Sequence, residues 1–291
     1  MRVTPLHPHI GARADGIDLR SPLTAELRAA IEAAMDRHAV LVFRGQDLDD
    51  DQHMVFGAAF GPVEHTRATV DAQRHRLKHA QMNDISNLDL NGEILKADDR
   101  RRMFNLGNRL WHSDSSFKRT PAKYSLLYAR SIPPEGGETE FADMRAAWDA
   151  LAPKMRAKLK DLVCWHSLLY SRAQLGFHAF TEEEQKQFAP VPQRMVRRHA
   201  GSGRLGLYLS AHIGRIDGFE VPEALALVRD LVEHATQREF VYQHRWQVGD
   251  LVMWDNRCTM HRGRAYDDTV HRRDMRRVTL EDSAPTLEQA L

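Results

Sequence analysis

The sequence predicts a mainly β chain, a sandwich or barrel buttressed by helices. Short apolar runs recur throughout, each bounded by Gly, Pro or Asp clusters. Helical periodicity is confined to a few stretches, expected early in the chain and on one side of the strands. No internal repeat or low-complexity linker shows. The 291 residues suffice for a sizeable core and are taken as one domain over 1–291.

Taken in order, residues 10–20 alternate apolar and small side chains, a first strand with a glycine-marked bend. Ser21 to Thr24 forms a helix entry, after which Leu27, Ile31, Ala34, Met35 and His38 fall at helical spacing. His38 ends that stripe and faces the helix dipole or solvent. Val40 to Phe43 is a continuous apolar run and therefore a buried strand. Asp49 to Gln52 opens a helix that runs through Phe60 and stops at Gly61-Pro62. Residues 63–82 are polar and basic, with Arg67, Arg74, Arg76 and Lys78. They fit a solvated loop or one wall of an anion pocket. Ile85 to Leu88 suggests a strand, and 91–107 a charged, mobile segment. Strands are expected at Tyr124 to Ala129 and, after the Pro133 to Gly137 turn, at Thr139 to Ala142. Helices follow at 143–150, 152–161 and from Glu182. Val196 to Leu209 reads as a hairpin, and 222–235 as an amphipathic helix with Leu225, Val228, Leu231 and Val232 on one face. Closing strands are expected near Phe240 to Trp246, Asp250 to Trp254 and Arg277 to Leu280.

The formal net charge is +1, so no charge excess calls for nucleic acid or an anionic membrane surface. No run of about 18 apolar residues predicts a membrane span. Two distant cysteines, Cys164 and Cys258, with no CxxC, fit a reducing cytoplasm rather than a disulfide framework. Sixteen histidines are many, but the count alone assigns no chemistry. The oligomeric state is left open, a homo-oligomer being allowed.

The chemistry concentrates in Trp111-His112-Ser113-Asp114. On a strand, positions i and i+2 share a face, so His112 and Asp114 converge. The apolar flanks Leu110, Trp111 and Phe117 imply half-burial, which is costly for two polar groups without a partner. Far downstream, an apolar run from Trp254 ends at a second histidine, His261. Two histidines and a carboxylate suit non-haem Fe(II), with positions left for other ligands. Residues alone leave a polar surface strand open as well. Zinc competes as the metal, but Cys258 lies out of phase with His261 on a strand, which disfavours a thiolate ligand. Arg273, Met275 and Arg277 share one face of the basic run Arg272 to Arg277, directing two guanidiniums inward, a geometry suited to carboxylates. A solvated basic edge strand is the alternative.

His112-Ser113-Asp114, Gly136-Gly137-Glu138-Thr139, Trp254-Asp255-Asn256-Arg257 with His261, and the Arg-Arg-x-x-Arg-Arg-x-Thr run ending at Thr279 resemble the taurine dioxygenase family. The resemblance covers almost the whole chain. Leu41 to Gln46, Leu110 to Phe117, His199 to Arg204 and His234 to Arg264 are most like its aryloxyacetate-cleaving members. The resemblance implies a double-stranded β-helix, or jelly roll, with flanking helices. It implies Fe(II), 2-oxoglutarate as cosubstrate and O2, with His112, Asp114 and His261 as metal ligands. Thr139 and Arg273 would hold the distal carboxylate of 2-oxoglutarate. Arg277 would meet the carboxylate of a small-molecule substrate or help hold the cosubstrate. Asn108 and His212 match substrate-contacting positions; as isolated residues they also fit a loop cap and a surface histidine. The implied reaction hydroxylates the carbon beside the ether oxygen of an aryloxyacetate, which then yields a phenol and glyoxylate. Other small acids, such as sulfonates, alkyl sulfates or plant aryl acids, are the alternative substrates. Where these members carry a loop lysine, this sequence has Thr69, with Arg67 and Arg74 nearby.

Overall fold

The computed structural model describes residues 1–65 and 76–291. Its main sheet runs, in spatial order, β1 (Arg2–Pro5), β2 (Ala12–Asp15), β3 (Val40–Phe43), β13 (Leu251–Asp255), β5 (Ala122–Ser131), β15 (Asp274–Glu281) and β4 (Asn83–Asp84). Neighbours are antiparallel except β2 and β3. A smaller antiparallel sheet, β12 (Val241–His244), β6 (Thr139–Asp143) and β14 (Thr259–Gly263), faces it. Two further groups flank these, β11 (Ile213–Ile216), β7 (Val163–His166) and β8 (Val191–Arg194), and the hairpin β9 (Val196–Arg198) and β10 (Leu205–Leu207).

Period-two alternation sorts the main sheet into two buried faces. Leu41, Phe43, Leu126, Leu251, Met253 and Val278 pack toward α1 (Ala25–His38) and α2 (Asp50–Ala58). Val40, Val42, Leu127, Val252, Trp254 and Met275 face the small sheet, where they meet Phe141 and Trp246. Burial on both faces is why Val40 to Phe43 is apolar without interruption. The far side of the small sheet is covered too. Ala142 and Met260 pack with α4 (Met144–Ala150) and α8 (Val221–Ala235). Helices thus brace both sides rather than the one expected. The buried stripe of α8 centres on Ala224, Leu227, Val228 and Leu231, with Leu225 and Val232 only partly covered.

The helix entries follow local capping chemistry. Thr24 Oγ1 accepts from Leu27 N at 3.2 Å, and Asp49 with Gln52 forms a capping box at α2. Elsewhere the boundaries move. The strand expected over 10–20 shrinks to β2, preceded by β1, whose exposed residues carry no apolar signal. The strand expected at Ile85 to Leu88 lies two residues earlier as β4, and Leu88 makes an isolated bridge to Ile94. The charged segment 91–107 contains α3 (Arg100–Asn105), continued by a 3-10 turn, Leu106–Arg109. No apolar stripe betrays α3. Asp99 caps it, and ion pairs of Arg100 with Glu184, Arg101 with Asp84 and Arg102 with Asp268 hold it. Helices at 143–150 and 152–161 appear as α4 and α5 (Pro153–Leu159). The helix from Glu182 is α7 (Glu182–Gln187), preceded by α6 (Leu168–Ala173), which was not expected. Of the basic loop, Arg76 pairs with Asp84 and Asp274 and Lys78 with Asp51, so these two are structural. Arg67, Thr69 and Arg74 lie outside the described residues. Among the described residues no helix is long and apolar enough to cross a membrane.

On α2, His53 is buried against Tyr128 with neither ring nitrogen well hydrogen-bonded. Burial is the main cause holding its pKa down at about 3, with the nearby Leu126 backbone opposing weakly. The unfolded chain takes up a proton below the ordinary value of 6.5, while the folded ring stays neutral down to about 3. This contribution to stability is therefore intact above pH 6.5 and is lost as pH falls. His53→Leu is expected to flatten the decline in unfolding free energy by about 1.4 kcal/mol per pH unit between about pH 6 and pH 4. Urea titrations across that range check it; parallel slopes for variant and wild type would contradict it.

Candidate active site

His112 and His261 are brought together by backbone pairing. His112 N donates to His261 O at 3.0 Å and His261 N to His112 O at 2.8 Å, an isolated antiparallel bridge that adds His112 to the edge of β14. The imidazole centroids stand 4.2 Å apart. Beyond His112 the expected strand ends. The chain turns through Asp114, and Ser115 adopts a left-handed φ of 53°. Side-chain bonds replace the ladder here. Ser113 Oγ donates to Thr259 O at 2.8 Å and Ser115 Oγ to Glu64 Oε2 at 2.9 Å, while Ser116 Oγ pairs with His166 Nδ1 at 2.9 Å. The convergence of His112 and Asp114 is observed, but a turn produces it rather than a pleat.

One Asp114 oxygen lies 3.8 Å from His112 Nε2 and the other 3.7 Å from His261 Nε2. One ligand atom from each of the three residues falls within 4.8 Å of the others. The protonation states fit a cation. His112 Nδ1 sits 2.7 Å from Leu110 O, which can only accept, so Nδ1 carries the proton and Nε2 keeps its lone pair. Burial, aided by Arg172 and Arg277, holds His112 below its ordinary range against the pull of Asp114. Burial, His112 and Arg277 do the same to His261, whose Nδ1 is buried without a partner. Burial alone would raise the Asp114 pKa; Arg277, then the two histidines and the Ser125 hydroxyl, bring it down to about 2. Two neutral imidazoles and one carboxylate form the donor set of a ferrous centre. Cys258 instead clusters with His199 and Asp255, and there Arg257 already neutralises Asp255 at 2.6 Å.

Asp114 is also oriented from behind. Ser125 Oγ donates to Oδ2 at 2.7 Å and Arg277 Nη1 to Oδ1 at 2.5 Å. Asn256 joins the arrangement from three sides. Its Oδ1 accepts from Asp114 N at 3.1 Å and Trp254 Nε1 at 3.0 Å, and its Nδ2 donates to Ser125 Oγ at 2.9 Å. Ser125→Ala is expected to weaken metal affinity roughly 10- to 100-fold, the usual effect of losing such a supporting partner. Equilibrium dialysis against Fe(II) checks this, and unchanged affinity would remove Ser125 from the account.

The group opens into a cavity of about 110 Å³. Thr139, Arg273, Arg277 and Asn108 line it with His112 and His261. Arg273, Met275 and Arg277 do share the inward face, while Asp274 and Arg276 pair with each other on the other face. Arg273 has no acidic partner among the described residues, and burial lowers its pKa to about 10. Thr139 Oγ1 accepts from Trp246 Nε1 at 3.0 Å. His212 is not the surface residue considered as one alternative. It is buried, edge-on to His112 at 6.2 Å and to Phe117 at 4.9 Å, yet it is not part of the cavity wall. Sequence reasoning missed Ser125, Asn256 as a hub, Arg172 and Asn87. Asn87 Oδ1 accepts from Arg273 N at 2.8 Å, and its Nδ2 donates to Asp268 O and His271 O. None of these carries a periodic signal; only the folded chain brings them together.

Known proteins repeat this arrangement of chain. The model of the "Taurine catabolism dioxygenase TauD, TfdA family" matches residues 2–279. The alpha-ketoglutarate-dependent 2,4-dichlorophenoxyacetate dioxygenase of Cupriavidus pinatubonensis is 48% identical over 280 residues, covering 96% of this chain and 97% of that one. The (S)-phenoxypropionate/alpha-ketoglutarate-dioxygenase of Sphingobium herbicidovorans is 34% identical, covering 93% and 91%. The crystal structure of AAD-2 in complex with Mn(II) and N-oxalylglycine superposes with a TM-score of 0.96 at 52% identity, covering 98% and 99%. The jelly roll and its buried histidine-carboxylate group therefore have their counterpart in sequence: this chain belongs to the TauD, TfdA family and is an Fe(II)- and 2-oxoglutarate-dependent dioxygenase.

Proposed function

We propose that the enzyme, one domain over 1–291, hydroxylates the carbon beside the ether oxygen of aryloxyacetates. The hemiacetal so formed collapses to a phenol and glyoxylate. The observation that carries this reading is a single cavity joining the His112, Asp114 and His261 group to two inward guanidiniums, Arg273 and Arg277. Two guanidiniums suit two carboxylic acids held together, cosubstrate and substrate. The Cupriavidus and Sphingobium relatives are named for aryloxyalkanoates, which supports the choice of acid. N-oxalylglycine, bound in AAD-2, has an oxalyl head and a distal carboxylate, like a 2-oxo diacid.

His112, Asp114 and His261 would hold Fe(II). Bound iron, 2-oxoglutarate and O2 would supply the oxidant for that C–H bond, with release of succinate and carbon dioxide. The chain supplies placement. Arg273 offers an unpaired guanidinium to the distal carboxylate of the cosubstrate, and Thr139 its hydroxyl. Arg277 steadies Asp114 and keeps a buried, unpaired Nε for a further anionic contact. Asn108, on the 3-10 turn at the cavity wall, is positioned for the substrate's polar end. His212 acts through His112, whose ring it packs against, more than by direct contact. The free, buried thiols of Cys164 and Cys258 fit a reducing cytoplasm.

The test is succinate formation with phenoxyacetate, 2,4-dichlorophenoxyacetate, taurine and an alkyl sulfate, with phenol and sulfite release measured alongside. Phenol equimolar with succinate is expected from the aryloxyacetates. Coupled turnover of taurine or the sulfate, with none of the aryloxyacetates, would assign the enzyme to another acid.

A further inference from the structure

The turn that carries Asp114 holds a backbone conformation that its own residues do not favour. Ser115 has a φ of 53°, a left-handed conformation that glycine enters freely and a residue with a β-carbon enters at a cost. Such a conformation persists only where the surroundings impose it. On the near side of Asp114 the chain is held by β14 and its turn: Ser113 Oγ donates to Thr259 O, and Asp114 N to Asn256 Oδ1. On the far side, the side-chain partner of Ser115 comes from well upstream.

That partner is Glu64, just past the Gly61-Pro62 breaker and 4% exposed. Its two carboxylate oxygens close on the two ends of the turn. Oε2 accepts from Ser115 Oγ at 2.9 Å, and Oε1 stands 3.0 Å from the Lys118 ammonium. Between those ends, Lys118 N donates to Ser115 O at 2.9 Å. Glu64 is itself fixed to the main sheet. Its N–H donates to Thr279 O at 2.8 Å, and Val63 bridges Leu280. Both partners belong to β15, the strand that presents Arg277 to Asp114. A buried carboxylate is costly to desolvate, and packing alone would be served by an apolar side chain. What the carboxylate adds is two directed contacts, which fix where Ser115 and Lys118 sit.

We propose that Glu64 is a positioning residue for the metal centre: by clamping Ser115 and Lys118 it holds Ser115 in the left-handed conformation that turns Asp114 toward His112 and His261. The inference rests on the ligand set proposed above and is independent of the substrate. Purified protein is dialysed to equilibrium against Fe(II) without oxygen, and the visible band that 2-oxoglutarate adds is recorded. Glu64→Ala is expected to weaken iron binding roughly 10- to 100-fold, the range for an outer partner of a metal ligand, and to shift or weaken the band. Adding Ser115→Gly to Glu64→Ala is expected to restore affinity to within about fivefold of the wild type, because glycine takes a left-handed φ unaided. A merely structural ion pair gives no such rescue. Should Glu64→Ala fail to fold, Ser115→Ala, which keeps the β-carbon and lacks the hydroxyl, carries the test and is expected to show the same loss. Wild-type iron affinity in Glu64→Ala or Ser115→Ala, or a loss that Ser115→Gly does not reverse, overturns the proposal. Wild-type protein that takes up no iron overturns the ligand set first, and this inference with it.

Discussion

Asp114→Asn is expected to reduce succinate formation at least about 100-fold, beyond the 10- to 100-fold typical of losing an outer partner. The substitution is nearly isosteric, so the turn after His112 can persist. What disappears is the charge. Asp114 supplies the one anionic donor of the group, and it lies within 4 Å of both imidazole Nε2 atoms. It is also the acid that pairs with Arg277 at the cavity wall. An amide there leaves two neutral imidazoles facing a divalent ion, with a guanidinium no longer offset. Fe(II) affinity and succinate yield should therefore fall together. Preserved activity with preserved metal binding would mean that another residue completes the site.

Arg273→Gln is expected to raise the KM for 2-oxoglutarate roughly 10- to 100-fold, with a smaller change in kcat. The magnitude is that of a charge-assisted, bidentate contact made in ground state and transition state alike. Arg273 is suited to this because it faces the cavity without an acid of its own, while Arg276 is committed to Asp50 and Asp274. Asn87 fixes its backbone at 2.8 Å, so the side chain emerges from a defined point. Initial rates against cosubstrate concentration decide it. An unchanged KM for 2-oxoglutarate would move that role to Arg277.

What the sequence makes legible follows from how local each signal is. Val40 to Phe43 announces a strand buried on both faces, and Asp49 with Gln52 announces a helix start, because each depends on a few neighbours. The inward pair Arg273 and Arg277 follows from strand alternation. By contrast, β7 includes a buried histidine, His166, and α3 is a run of arginines that forms against distant acids. Such elements are specified by partners far along the chain. The same holds at the site. His112, Asp114 and His261 could be picked out by residue type, yet a turn built by four buried residues, Ser113 to Ser116, delivers Asp114 where a strand was expected.

Anaerobic titration of the purified protein with Fe(II), followed by 2-oxoglutarate, tests the central claim most directly. The account predicts uptake of one equivalent of iron, a visible charge-transfer band once the keto acid is added, and loss of both in His261→Ala. Absence of stoichiometric uptake, or uptake and a band that survive His261→Ala, would contradict it.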